Sequence, residues 1–343
     1  MIPPAGLEQH VDDLWKAMVD GDEHAATDAA LAAVDAGCDV ESLLLNVIAP
    51  LQERVGVEWA ADRMTVVQEH IATAICERTI AVLAHRPSAR PGNGGKGRIM
   101  VTCTDGEWHA LPARLLATVL RLRGWQVDYL GAQMPIPHLI MHLHRIRPDV
   151  VALSSSIATR LPTAHSTVIA CQSIGIPALV GGAAYGNDDR YARLLGADGW
   201  ARDARGVADG LADGRPDPPS HDHQPIDDLP HLADQEYTMV SRYSSQIVPQ
   251  VLAQLPEMPG RQHDDTVECV AHLVDFLATG LYLNDIEVFT RYVTWITEVL
   301  GSRGIPAQTH CIRPTLDLVR STFSDFPRTQ TLLAHAYAVL APT

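Results

Sequence analysis

A chain of 343 residues, 46% apolar and 20% charged, is long enough for two or three domains, each with a core of its own. Its formal net charge of −15 excludes a general phosphate-binding surface, because sequence-independent nucleic-acid affinity needs clustered Lys and Arg. None of Cys38, Cys76, Cys103, Cys171, Cys269 and Cys311 forms a C-x-x-C pair, which excludes a zinc-ribbon or disulfide framework and makes a reduced, cytoplasmic setting the expectation.

Met1-Ile2-Pro3-Pro4 lacks the charged start and apolar run of a signal peptide. No apolar stretch is expected to reach the roughly 20 residues that span a bilayer. Helical spacing begins with Leu7, Val11, Leu14, Trp15 and Met18. An Ala-rich segment from Glu23 to Ala36 stops at Gly37, Val40 to Val55 carries Leu43, Leu44, Val47 and Leu51, and Met64 to His85 carries Val67, Ile71, Ile75 and Ile80. Four helices with short connections predict an antiparallel bundle over residues 1–88. Pro87 to Gly95 is a linker by composition.

From Arg98 the pattern alternates. Arg98–Cys103, Gln126–Leu130, Asp149–Ser154, Ala178–Val180 and Gly199–Ala201 read as strands, each followed by a helical segment. Strand–helix alternation over 97–214 predicts a doubly wound parallel sheet of about five strands, with its ligand crevice at the strand carboxyl ends. The Pro- and Asp-rich stretch 215–230 is a second linker, and 231–343 reads as all-α, with helices over Thr266–Ala278, Ile286–Leu300, Pro314–Phe323 and Thr329–Leu340. The fold class expected is therefore multidomain, α and α/β.

Two signals carry chemistry. The first is Asp105-Gly106-Glu107-Trp108-His109, where the first strand ends and a helix begins. Imidazole on a short loop suits a transition metal inside a macrocycle, and a ligating His is oriented through its other nitrogen by a carboxylate. Asp105 and Glu107 are both close enough. Ser154-Ser155-Ser156 and Gly181-Gly182 end the third and fourth strands and leave room beside the sheet. No G-x-G-x-x-G follows the first strand, so a dinucleotide fold is excluded. The second signal is Trp59, nine residues, then Glu69-His70, in the helical region.

The order Glu107-x-His109, then Ser154-x-x-Ile157, then Gly181-Gly182 resembles the base-off cobalamin-binding domain, whose pattern is D-x-H-x-x-G, S-x-L and G-G. Glu107 stands for the Asp, Pro112 for the glycine and Ser156 for the leucine. The resemblance implies a flavodoxin-like sheet, His109 as the lower axial ligand of cobalt, and a nucleotide tail running past Ser154 toward Gly181 and Gly182. The spacing Trp59-x9-Glu69-His70 is similar to the W-x9-E-H signature of the bundle in cobalamin photoreceptors. That similarity implies adenosylcobalamin as cofactor. Trp59 would pack on the adenosyl group, Glu69 would hydrogen-bond it and His70 would lie beside it. The histidine that follows the Trp in those proteins is here Ala60, which excludes a light-state ligand from that position.

The domain order is similar to that of the photocobilins. This implies a globin-like last domain binding biliverdin, with His310 and Arg313 pairing with its propionates and Cys269 and Cys311 available for attachment. Residues His272, Tyr282, Tyr292 and Trp295 could line that pocket. The resemblance implies a non-enzymatic light sensor, a homo-oligomer (a dimer) signalling to a downstream effector protein, with no DNA-binding domain ahead of the bundle, no direct DNA binding and no membrane. The alternatives are a corrinoid carrier of a methyltransferase system and a cobalamin-level sensor with a C-terminal interaction domain.

Overall fold

A computed structural model describes residues 8–86, 95–217, 230–232, 234–256, 260–305 and 311–341. The chain divides into two compact units, Met1–Asp222 and His223–Thr343.

The first unit opens with helices α1 (Glu8–Asp20) and α2 (Glu23–Asp35), the latter capped by Asp22, whose carboxylate accepts from the Ala25 amide. Helix α3 (Val40–Leu43) runs without a break through a π-helical turn (Leu44–Ile48) into α4 (Ala49–Ala60). The helix therefore extends past the Val55 expected from periodicity. Pro50 would ordinarily crowd the carbonyl four residues back; here the wider π turn lies directly before it and lets the helix continue. Helix α5 (Val66–Ala84) starts at a capping box, Thr65 with Gln68. The bundle core holds Leu14, Met18, Leu44, Val47, Ile48, Val55, Ile75 and Ile80.

The α/β part follows as β1 (Arg98–Cys103), α6 (Leu111–Leu122), β2 (Gln126–Gly131), α7 (Ile136–Ile146), β3 (Val150–Ser154), α8 (Leu161–Ser173), β4 (Ala178–Gly181), α9 (Arg190–Leu194), β5 (Gly199–Ala201) and α10 (Ala204–Asp213). All strands are parallel, in the order β2-β1-β3-β4-β5, with Ile99 beside Val150 and Val151 beside Ala178. This is the flavodoxin-like order the sequence led us to expect, with its switch point between β1 and β3. Both central strands are apolar almost throughout because helices cover both faces. Helix α8 starts two residues earlier than periodicity predicts, after a short 3-10 turn (Ala158–Arg160), with Pro162 in its first turn where no N–H is needed.

Leu111 and Leu115 of α6 belong to the same buried cluster as the bundle residues. The bundle and sheet therefore share apolar core. Polar contacts reinforce the join: Arg123 at the end of α6 donates to both Glu41 oxygens at 2.6 and 2.8 Å, and also pairs with Asp209 at 3.2 Å.

The second unit is all-helical, with α11 (Glu236–Leu252), α12 (Gly260–Leu283), α13 (Ile286–Ser302), α14 (Arg313–Thr322) and α15 (Pro327–Leu340). Glu236 is buried and accepts from the Thr329 amide (2.6 Å), the Thr329 hydroxyl (2.8 Å) and the Arg328 amide (3.1 Å), so α11 caps α15. One expectation is corrected here. The segment His263–Leu283 is long and apolar enough to cross a membrane by length and composition, yet 67% of its 18-residue apolar stretch is buried, as befits the core helix of this unit. Its length escaped the sequence reading because polar residues interrupt the apolar positions at helical spacing.

Candidate functional site

The floor of the site is built where β1 and β3 end. Gly106, at φ +79°, turns the chain after β1, and the Glu107 amide donates to the Thr104 carbonyl at 2.9 Å. This turns the Glu107 side chain inward, where it is 1% exposed. One carboxylate oxygen accepts from His109 Nδ1 (2.6 Å) and the His109 amide (3.0 Å); the other accepts from the amides of Ser156 (2.7 Å) and Ile157 (3.1 Å). Glu107 thus ties the β1 loop to the β3 loop across the switch point. Burial alone would raise its pKa, but the hydrogen bonds from His109 and Ser156 outweigh it and hold the carboxyl at about 2.

An ionised carboxylate only accepts, so Nδ1 of His109 carries a proton and the lone pair of a neutral ring sits on Nε2. The His109 side chain is 55% exposed, which leaves that nitrogen accessible to a metal. Its pKa is raised, chiefly by the hydrogen bond to Glu107; burial opposes this, the charges of Glu107 and Glu69 add to it, and Arg160 works against it. The two candidate orienting carboxylates are now distinguished: Glu107 holds His109, while Asp105 has no hydrogen bond or ion pair among the described residues. Trp108 projects outward and is 74% exposed.

Beside the floor, an apolar cleft of ≈ 70 Å³ is lined by Ser154, Gly181, Gly182, Pro112, Leu116 and Val207, among others. The strand-end residues singled out in the sequence therefore meet in one cavity. Gly182 has a backbone reason of its own: at φ +103° its missing Cβ would stand 2.3 Å from the Ser155 carbonyl oxygen. Ser156 instead contributes its amide to Glu107. The donor set on the floor and the apolar cleft at the strand ends fit a corrinoid with its lower base displaced: an imidazole for the cobalt and a slot for an aromatic tail.

The cap is formed by α4 and α5. Trp59 is partly buried and packs against the bundle core. Glu69 lies 2.6 Å from His70 Nδ1 and accepts from the Thr73 hydroxyl at 3.0 Å, and Thr73 in turn accepts from Gln52 at 2.6 Å. The other end of that amide, Gln52 Oε1, is buried with no hydrogen-bond partner among the described residues. Cap and floor are joined through one apolar cluster: Trp59 packs on the cluster that takes in Leu111, two residues after His109, and the Glu69 carboxylate adds to the upward shift of the His109 pKa. Gln52 and Thr73 were not singled out in the sequence. Helical spacing would have found them, since Gln52 precedes Trp59 by seven residues and Thr73 follows Glu69 by four.

In the second unit, Phe276 stacks on Tyr292 (centroids 3.9 Å apart), with His272 and Trp295 at the same cluster. Tyr282 stands apart, stacked on His231. Arg313 is exposed at the start of α14, and His310 lies outside the described residues. Cys269 and Cys311 are buried; their mutual hydrogen bond and burial push the Cys269 thiol up, away from the reactive thiolate.

Comparison with known proteins places this geometry. A family described as B12 binding domain matches residues 97–208, and a second family of the same description matches residues 11–84. The chain is similar to the HTH-type transcriptional repressor CarA of Myxococcus xanthus, at 31% identity over 42% of this chain and 48% of that one. It is also similar to trimethylamine corrinoid protein 1 of Methanosarcina mazei, at 23% identity over 59% of this chain and 95% of that one. The chain spans about half the length of the curated repressors it matches. Among solved structures, the monomethylamine corrinoid protein of Methanosarcina barkeri shares the fold, with a TM-score of 0.53 at 18% identity over 60% of this chain and 98% of that one. Residues 97–208 form a cobalamin-binding domain, preceded by a helical bundle over the residues that the second family of that description matches.

Proposed function

We propose that the protein is a light sensor that holds adenosylcobalamin between its helical bundle and its α/β domain. When bound, adenosylcobalamin supplies a cobalt–carbon bond that visible light breaks. The observation that supports the reading is the cap motif: Trp59 packs on the apolar cluster that takes in Leu111, two residues after His109, and the Glu69–His70 pair opens the neighbouring helix, with the Glu69 charge among those that raise the His109 pKa. His109 presents Nε2 as the lower ligand, and Glu107 fixes its tautomer. Glu69, held by Thr73, offers a carboxylate to a ribose hydroxyl, and the Trp59 face shields the upper group from water. Trp59 and Glu69 would hold that group when it is bound, and losing those contacts would shift bundle against sheet or change the oligomeric state. The output passes to a partner protein; the charge of −15 argues against direct DNA contact. The setting is cytoplasmic and the protein is not an enzyme.

The test is reconstitution with adenosylcobalamin in darkness, followed by green light. A changed absorption spectrum together with a changed elution volume on size exclusion is expected. An unchanged spectrum removes the reading.

A corrinoid carrier of a methyltransferase system is the second reading, favoured by the solvent exposure of His70, whose side chain is 75% accessible. An open upper face suits a shuttled methyl group. Equal affinity for methylcobalamin and adenosylcobalamin, with no light response, would favour it. Biliverdin in the second unit is part of the sensor proposal, supported by the stacked Phe276–Tyr292 pair beside partly exposed Trp295. A far-red absorption band after co-expression with a haem oxygenase is the expected result. The buried cysteine pair favours noncovalent attachment.

A further inference from the structure

Arg160 is the unused cation of the site. It closes the 3-10 turn that follows β3, three residues beyond the Ile157 amide that docks on Glu107. Its guanidinium lies against Gly106: a Cβ built at Gly106 would stand 3.0 Å from Arg160 Nη1 and 3.4 Å from Cζ. The positive φ of +79° favours glycine there, and the β1 turn that leads to His109 has this guanidinium beside it. Its charge is felt at His109.

No carboxylate or carbonyl among the described residues answers the guanidinium. Among the described residues Arg160 has no side-chain hydrogen bond or ion pair, and its Nε is buried without an acceptor. This contrasts with Glu107 a few residues away, which fills both oxygens. A buried N–H left without a partner costs about 1–3 kcal/mol, and such groups are rare enough that each asks for a reason. Here the reason lies in the position. The guanidinium lies against Gly106, three residues before His109, and its charge opposes the upward shift of the His109 pKa.

We infer that Arg160 is a corrinoid-binding residue whose guanidinium donates to an oxygen acceptor on the cofactor. The acceptor is a carbonyl of the ring's amide side chains or a phosphodiester oxygen of the nucleotide tail; both present an oxygen lone pair to a guanidinium N–H. The inference rests on the cobalamin reading of the site and adds a residue that neither the strand-end motifs nor the bundle signature contains.

The experiment compares wild type, Arg160→Met and Arg160→Lys in two measurements. Dissociation constants are taken by absorbance titration with adenosylcobalamin and with cobinamide, which lacks the nucleotide tail. Thermal melting is recorded for the protein without corrinoid. Arg160→Met is expected to bind roughly ten- to a hundredfold more weakly. Arg160→Lys falls between, because it keeps the charge but not the fork. A loss with both corrinoids assigns the acceptor to the ring amides, and a loss confined to cobalamin assigns it to the phosphodiester. The corrinoid-free Arg160→Met protein is expected to melt no lower than wild type, since no protein acceptor is lost. Affinity within twofold of wild type for both corrinoids overturns the inference, as does weak binding explained by an equally lowered melting temperature. Failure of wild type to bind any corrinoid would instead overturn the cobalamin reading itself.

Discussion

The two sides of the proposed cobalamin site are built by opposite means. Below, Glu107 is 1% exposed, accepts four hydrogen bonds and ties two strand ends together. Above, Glu69 retains 27% of its side-chain surface, His70 retains 75%, and the network through Thr73 stops at the orphaned carbonyl of Gln52. The floor, which holds one imidazole nitrogen in one direction, is fixed by backbone amides from a second strand end. The cap, which on the proposed reading accepts and releases an upper group, is left open to solvent. The proposed selectivity for that group therefore rests on the cap.

Breaking the floor should have the largest effects. Replacing His109 by Ala removes the metal ligand, and corrinoid affinity should fall by more than the roughly 10–100-fold typical of an orienting partner, with loss of the histidine-ligated absorption spectrum. Glu107→Gln should cost that 10–100-fold itself, while Glu107→Ala also strands the Ser156 and Ile157 amides and should lower unfolding free energy by about 2–4 kcal/mol, read by urea denaturation.

The floor also predicts a pH window for the protein without corrinoid. The Glu107 carboxyl is held below its ordinary 4.5, so its contribution is present above that pH and is lost as pH falls toward about 2. His109 is shifted up, so its contribution is full below 6.5 and is lost as pH rises through its raised value. Thermal melts across pH should find this pair's support greatest between about 4.5 and 6.5. Glu107→Gln should flatten both flanks.

The cap should respond selectively. Trp59→Ala and Glu69→Gln should weaken adenosylcobalamin by about three- to tenfold while leaving hydroxocobalamin unchanged, measured by absorbance titration. Equal losses for both would make these residues part of the fold and erase the contrast between floor and cap. The smallest effect belongs to the join: Glu41→Gln breaks a partly exposed ion pair with Arg123 and should cost about 1 kcal/mol or less, shrinking with added salt.

Much of this architecture was legible beforehand because its signals are local. Alternating apolar runs marked all five strands, and parallel order followed from the helices between them. The His109 position was readable because it follows a strand directly. What escaped was set by contacts distant in sequence. Choosing Glu107 over Asp105 required the Gly106 turn and the two amides about 50 residues away. Arg160 carried no pattern at all; its role depends on lying against Gly106. The continuation of α4 through Pro50 hid behind a π turn that no periodicity announces. The full length of α12 was obscured by its polar face, which packing in the second unit tolerates.

The central claim is that the protein's own histidine, held by Glu107, ligates the cobalt from below. Electron paramagnetic resonance of the cob(II)alamin-loaded, ¹⁵N-labelled protein tests it directly. Ligation by His109 predicts nitrogen superhyperfine doublets from ¹⁵N, which disappear in His109→Ala. Triplets from the cofactor's own unlabelled base, unchanged in that variant, would contradict it.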